Sequence, residues 1–229
     1  MNIPDNLKQV QEGIAEAAIA SGRAPEDISL VVVTKTQSRE DIQTAISAGA
    51  RICGENRVQE LAEKADTGAY SGAQLHLIGH LQKNKVRRVV GRVSLIHSVD
   101  DLALLTQIDR VCQEVQVVQD VLLQVNIGKD ENKFGLEVGQ IDELLHAAQS
   151  LGHVRVRGLM TIPPLALPLQ ETRQLFAQMY DVFVDIRAKK YHNTSMELLS
   201  MGMSGDFREA ILEGANMVRI GSSIFATEK

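Results

Sequence analysis

Eight short apolar runs recur along the chain. Each is followed by a stretch whose apolar residues fall at helical spacing, and this alternation constrains the fold more than any other feature. Residues 28–34, 51–54, 75–78, 95–97, 120–127, 154–160, 197–200 and 217–220 read as strands. Helices are predicted over 5–22, 38–48, 58–65, 84–90, 101–117, 138–150, 169–189 and 206–212. In the first, Leu7, Val10, Ile14, Ala17 and Ala18 share one face, with Asp5 or Asn6 as the cap; in the second, Ser38 caps the start and Gly49 closes the end. Strands that are apolar throughout, rather than alternating, belong to a parallel sheet covered by helices on both faces. At 229 residues, closure into one (β/α)8 TIM-type barrel domain over 1–229 is the economical arrangement; a doubly wound open sheet is the alternative. Beyond the alternation there is no repeat, linker or low-complexity segment.

Hydrophobic residues make up 44 %, enough to predict a folded core, and the net charge of −5 argues against a general nucleic-acid binder. The one notable basic run, Lys83, Lys85, Arg87, Arg88 and Arg92, reads as a solvated helix face. Cys53 and Cys112 form no metal or redox spacing and read as reduced thiols, Cys53 as a core residue. The N-terminal segment lacks the basic and apolar regions of a signal peptide, and no apolar run approaches bilayer-spanning length. The expectation is a cytoplasmic, soluble protein with no nucleic-acid or membrane partner and a monomeric state.

In a barrel of this kind, residues just after each strand form the functional rim. They are Lys35; Glu55 and Asn56; Gly79 and His80; His97 and Ser98; Asn126; Met160 and Thr161; then 201–206 and 219–223. Lys35 emerges from Leu30-Val31-Val32-Val33-Thr34, where desolvation would favour the neutral amine needed for Schiff-base chemistry. Segments 198–206 and 217–223 both break from an apolar strand into small residues ahead of a helix, the pattern of an anion cradle. There Ser204 can donate its hydroxyl, Gly221 and Ser222 their backbone N–H groups, and Gly202 and Gly205 keep side chains clear. A phosphate cradle beside a strand-end lysine suggests a phosphorylated aldehyde held as an imine. Arg219 requires an acceptor: an acid such as Glu55 or Glu197, or a ring nitrogen, to which it can only donate, leaving the ring a weak electron sink. His76 and His80 stand four apart on a strand, roughly 13 Å, too far to share a metal; His80 is placed to pack beside a ligand and His76 is structural. No Walker A, G-x-S-x-G or H-E-x-x-H motif occurs.

Val32-Val33-Thr34-Lys35-Thr36, Gly54-Glu55-Asn56, Val58-Gln59-Glu60 and Ile78-Gly79-His80-Leu81-Gln82 with Asn84-Lys85 together resemble one family. Ile96-His97-Ser98-Val99-Asp100, Gln124-Val125-Asn126-Ile127, Gly158-Leu159-Met160-Thr161-Ile162, and segments 200–206 and 218–225 extend the match along the whole chain, in order. The family is that of the pyridoxal phosphate homeostasis proteins. The resemblance implies a barrel like the N-terminal domain of alanine racemase, with pyridoxal 5′-phosphate (PLP, a vitamin B6 form) held as a Schiff base on Lys35. It also implies phosphate contacts from Ser204, Gly221 and Ser222, Arg219 at the pyridine nitrogen, and Asn56 beside the ring. Three departures stand out: Ser222 where threonine is common, Ala226 where glycine is usual, and 129–135 in place of a serine-rich loop.

The implied role is PLP homeostasis and amino- and keto-acid balance with little or no catalysis, the partners being PLP and PLP-dependent apoenzymes or amino acids. Racemisation needs an acid–base group on each face of the substrate. In the racemases, the second is a tyrosine from a separate β-domain, for which the chain ending at Lys229 leaves no room. Tyr70, Tyr180 and Tyr191 are expected away from the rim. The alternatives are a single-domain amino-acid racemase using His80 or a water, and a barrel lyase or isomerase using Lys35 on a phosphosugar.

Overall fold

Apolar alternation resolves into two cores because each strand has one face toward the barrel axis and one toward the helices. In a computed structural model that describes residues 2–130, 132–164 and 166–226, Val31 packs inside with Ile78, Leu95, Leu122, Met160 and Met217. Its neighbour Val32 packs outside with Leu7, Ile14, Val218 and Ile224. Burying each such side chain contributes about 1.5–3 kcal/mol, so the alternation itself fixes which face points inward.

The strands are β1 (Ser29–Val33), β2 (Ile52–Glu55), β3 (Gln74–Leu77), β4 (Leu95–Val99), β5 (Gln119–Val125), β6 (Val154–Thr161), β7 (Thr194–Ser200) and β8 (Met217–Ile220). All pair in parallel and in sequence order, and β8 returns to β1 to close the barrel, with Val31 opposite Arg219 and Val32 opposite Ile220. The helices are α1 (Ile3–Ala20), α2 (Arg39–Ser47), α3 (Val58–Asp66), α4 (Leu102–Val115), α5 (Ile141–Ala148), α6 (Leu169–Lys189), α7 (Phe207–Leu212) and α8 (Ser222–Phe225). Because α1 precedes β1, it fills the outer ring where the chain closes, packed against α7, α8 and α2. Among the described residues no helix is long and apolar enough to cross a membrane.

Several local expectations are corrected. Asn2, not Asp5 or Asn6, caps α1, its side chain accepting from the Asp5 amide, because Pro4 belongs inside the first turn. Asn6 is buried and donates to the Ile224 and Ala226 carbonyls, tying α1 to the chain's last helix. The helix expected over 84–90 is a 3₁₀ segment, Lys83–Arg88, which buries Val86 and turns its cations outward. There Lys83 meets Asp101, Arg87 meets Glu114, and the neighbouring Arg92 meets Asp66, so the basic run is a solvated, acid-partnered face. The register shifts between β4 and β5, and two further shifts flank β6, one toward β5 and one toward β7. Gly158 (φ +153°) sits at both, where a Cβ would lie 1.8 Å from the Leu198 carbonyl oxygen.

Ser38 accepts from the Asp41 amide at 3.1 Å and starts α2 immediately after the rim segment of β1. Ser38→Ala is expected to lower stability by about 1 kcal/mol, read as a shifted urea midpoint with an unchanged slope.

Candidate cofactor site

Lys35 lies two residues beyond the end of β1, held by the turn around it. Thr34 is buried, its amide bonded to the Gly54 carbonyl at 2.9 Å. Thr36 has φ +63°, a left-handed conformation that costs a β-branched residue about 1–3 kcal/mol and persists only where the surroundings enforce it. Here α3 does so: the Thr36 amide donates to Glu60 Oε2 at 3.1 Å, and Lys64 Nζ donates to the Thr34 carbonyl at 2.8 Å. Lys64 also pairs with Glu55 at 2.9 Å and Glu60 at 3.1 Å. Glu55 is fully buried and accepts further bonds from Tyr70 Oη and from the Asn56 amide. The Thr36 amide, followed by Lys64, holds the Glu60 carboxyl below its usual range, while burial and then Glu55 push the Tyr70 phenol upward.

Lys35 itself is exposed, and among the described residues its Nζ has no hydrogen bond or ion pair. The expected desolvation within the valine strand is therefore absent: the apolar wall ends at Thr34, and the protein presents the amine to solvent.

Closure of β8 on β1 brings the chain's two ends together here. Gly221 follows Ile220 and packs on Val33, where a Cβ would come within 3.0 Å of both the Val33 Cβ and its carbonyl oxygen. Gly221 precedes α8, whose first amides, those of Ser222 and Ser223, have no intrahelical acceptor. The adjoining turn after β7 is joined by the Arg219 amide donating to the Gly202 carbonyl at 3.0 Å. Asp206 stands at the N-cap position of α7, and its carboxylate accepts from the Met203 amide at 2.6 Å, shaping the loop that carries Ser204. Gly202 is required there, with φ +93° and a Cβ position 2.6 Å from Ala210 Cβ, whereas the space around Gly205 is open.

Arg219 is buried and points into the barrel. The two acids expected for it are engaged elsewhere, Glu55 by Lys64 and Glu197 by Arg157. Instead Nη1 donates to Ser200 Oγ at 2.6 Å and Nη2 to the Thr161 carbonyl at 2.9 Å. Two of its five N–H groups are used in these bonds, and among the described residues no carboxylate pairs with it. Burial pushes its pKa down to about 10, which still leaves it a cation at neutral pH. Behind Ser200 lies His97 (Nδ1 at 3.1 Å), and behind that His76 (3.1 Å between His97 Nε2 and His76 Nδ1).

Asn56 follows the last residue of β2, its side-chain Oδ1 buried and unpartnered among the described residues. His80 reaches the rim, but its ring stacks on Phe134 at 3.7 Å and faces Asp100 at 3.7 Å. The loop whose sequence departs from the family pattern thus covers one face of the His80 ring with Phe134. Tyr180 and Tyr191 lie away from Lys35, against Gly214 and Asp142. Tyr70 supports the site from behind Glu55. Cys53 is buried, and desolvation, aided by Glu55, pushes its thiol up to about 12, so it is an inert core residue.

Glu60, Lys64 and Tyr70 were not singled out as supports, nor were Ser200 and Thr161 as partners of Arg219. Only the i,i+4 spacing of Glu60 and Lys64 on a helix next to the Gly54-Glu55-Asn56 strand end hinted at the first group. These residues fit a flat cofactor with an acceptor ring nitrogen and a phosphate. Among the described residues Arg219 is a buried donor with no directly paired carboxylate, only the charge of Asp206 acting on it, Asn56 has an unmet amide oxygen, and free first-turn amides flank a glycine cradle.

Burial also pushes His76 down to about 4 and His97 well below the ordinary value of 6.5. The unfolded chain then binds more protons as pH falls from 6.5 toward 4, so stability is lost over that window. His76 alone contributes about 3 kcal/mol of that loss. Urea unfolding at pH 7.5 and 4.5 is expected to show a smaller difference in His76→Asn, whose amide oxygen can still accept from His97.

A closed parallel barrel with a lysine beyond β1 and glycine turns beyond β7 and β8 defines the alanine racemase N-terminal class, and residues 9–229 match that family's profile, described as alanine racemase, N-terminal domain. The chain is 38 % identical over 229 residues to the pyridoxal phosphate homeostasis protein of Aquifex aeolicus strain VF5, covering 100 % of both. It therefore belongs to the pyridoxal phosphate homeostasis protein family. Among solved structures, PipY of Synechococcus elongatus PCC7942 with PLP bound matches with a TM-score of 0.81 and 36 % identity, covering 93 % of this chain and 100 % of that one. An unknown protein from Bifidobacterium adolescentis matches with a TM-score of 0.92 and 33 % identity, covering 97 % and 94 %.

Proposed function

We propose that this barrel binds PLP at its mouth and holds it for intracellular PLP homeostasis, with little or no catalysis. Lys35 Nζ would hold the cofactor through its aldehyde carbon, as an imine formed with loss of water. Ser204 and the amides of Gly221 and Ser222 take the phosphate, Arg219 donates to the pyridine nitrogen, and Asn56 lies beside the ring. His80 acts at the rim through its stack with Phe134. Bound PLP supplies a reactive aldehyde conjugated to an electron-withdrawing ring. Membership of the family, and a PLP-bound relative at 36 % identity, support the cofactor.

The observation that carries this reading is Arg219: a buried donor that no carboxylate pairs with directly among the described residues, Asp206 acting on it only through charge, on the strand whose end packs against β1. A donor at the ring nitrogen leaves that nitrogen unprotonated and the ring a poor sink for carbanion charge. Holding rather than turnover follows, and exchange with amino acids, keto acids or PLP-dependent apoenzymes is then a matter of releasing the cofactor. The PLP-loaded protein incubated with L- and D-alanine in D2O is expected to show negligible α-hydrogen exchange. Rapid exchange on both enantiomers, lost in Lys35→Ala, would establish the racemase instead.

A further inference from the structure

The barrel interior is not uniformly apolar: a single file of polar side chains crosses it from β8 to β3. Arg219, Ser200, His97 and His76 lie on β8, β7, β4 and β3, all buried, and link through bonds of 2.6, 3.1 and 3.1 Å. An apolar filling in these positions would pack as well without any need to satisfy polar atoms, so the file calls for a purpose.

Its hydrogen bonds have one direction in which every proton between Arg219 and His76 Nδ1 meets an acceptor among the described residues. Arginine can only donate, so Ser200 Oγ accepts from Nη1. The one hydroxyl proton of Ser200 then goes to His97 Nδ1. His97 must carry its own proton on Nε2, which it donates to His76 Nδ1, and His76 in turn carries its proton on Nε2. The reverse order would make Ser200 accept twice and leave its hydroxyl proton without an acceptor inside the barrel. Burial keeps both rings neutral, as the direction of their pKa shifts also indicates.

We propose that Ser200 and His97 are positioning residues: with the Thr161 carbonyl they lock the Arg219 guanidinium in one orientation, so that its remaining N–H groups are presented to the cofactor ring. This rests on the PLP reading above. Neither residue touches the cofactor in this arrangement; both act through Arg219. A guanidinium held at two points loses little further freedom on binding, which is where preorganisation raises affinity.

Two measurements test it. In the cofactor-free protein at pH 7, long-range ¹H–¹⁵N spectra of the imidazoles are expected to place the proton of His97 and of His76 on Nε2. A proton on His97 Nδ1 would overturn the proposal. Titration with PLP, followed by visible absorbance, is expected to give a Kd raised about tenfold in Ser200→Ala, roughly the worth of one charge-assisted hydrogen bond. Ser200→Thr, which keeps the hydroxyl, is expected to restore it. In an Arg219→Gln background, Ser200→Ala is expected to add nothing, because its effect passes through the guanidinium. An unchanged Kd in Ser200→Ala, or an equal loss with and without Arg219, would overturn the proposal. Should wild-type protein take up no PLP, the cofactor reading itself falls, a result distinct from normal uptake with an indifferent Ser200. Ser200→Ala deletes one oxygen; if it nevertheless fails to fold, His97→Gln, which can accept from Ser200 through its amide oxygen, is expected to bind PLP better than His97→Phe.

Discussion

Lys35→Ala is expected to abolish the visible absorbance that PLP gives on binding and to weaken PLP retention by roughly a hundredfold or more, about 2.7 kcal/mol. Its stability is expected to stay within about 0.5 kcal/mol of wild type, because an exposed side chain with no partner contributes little to folding. Both halves come from one observation: Lys35 is exposed, and its Nζ is unpaired among the described residues. Loss of binding can then not be ascribed to loss of structure. Equilibrium titration with PLP and urea unfolding of the same preparation check the two halves. A variant that kept the visible band would remove Lys35 from the site.

The second large effect falls on the other lysine near that turn, with the opposite signature. Lys64→Met is expected to lower stability by about 3–5 kcal/mol, since it leaves the fully buried Glu55 without its counter-charge. The Thr34 carbonyl also loses a donor, and Glu60 loses the cation beside the oxygen that receives the strained Thr36 amide. Adding Glu55→Gln to Lys64→Met is expected to recover part of the loss, because a neutral amide is far less costly to bury than an unpaired carboxylate. By contrast, breaking the exposed Lys8–Glu12 pair, 3.9 Å apart, is expected to cost less than about 1 kcal/mol. Urea midpoints of the three variants decide the matter. A Lys64→Met protein as stable as wild type would show that the ion cluster does not hold the Lys35 turn.

The barrel was legible from apolar spacing because burial on both faces leaves a signal in every strand: β8 and α6 fall on the predicted 217–220 and 169–189. Lys35 and the Gly221 turn were legible because they interrupt apolar strands at their ends. The supports around them were not. Lys64 reaches Thr34 and Glu55 only through the placement of α3 against β1 and β2, a contact with no sequence period. The pairing of Ser200, His97 and Arg219 depends on inter-strand register, and the shifts between β5 and β6 and between β6 and β7 defeat simple counting of inward positions. Exposure of Lys35 was missed for a related reason: a run of valines predicts a dry wall but not where that wall stops.

The central claim is a covalent PLP site on Lys35. Protein incubated with PLP, reduced with borohydride and digested is to be mapped by mass spectrometry. The expected result is a pyridoxyl group on the peptide bearing Lys35 and on no other lysine. Labelling absent from Lys35, or spread over exposed lysines such as Lys83 and Lys190, would contradict it and return the Gly221 cradle to some other phosphorylated ligand.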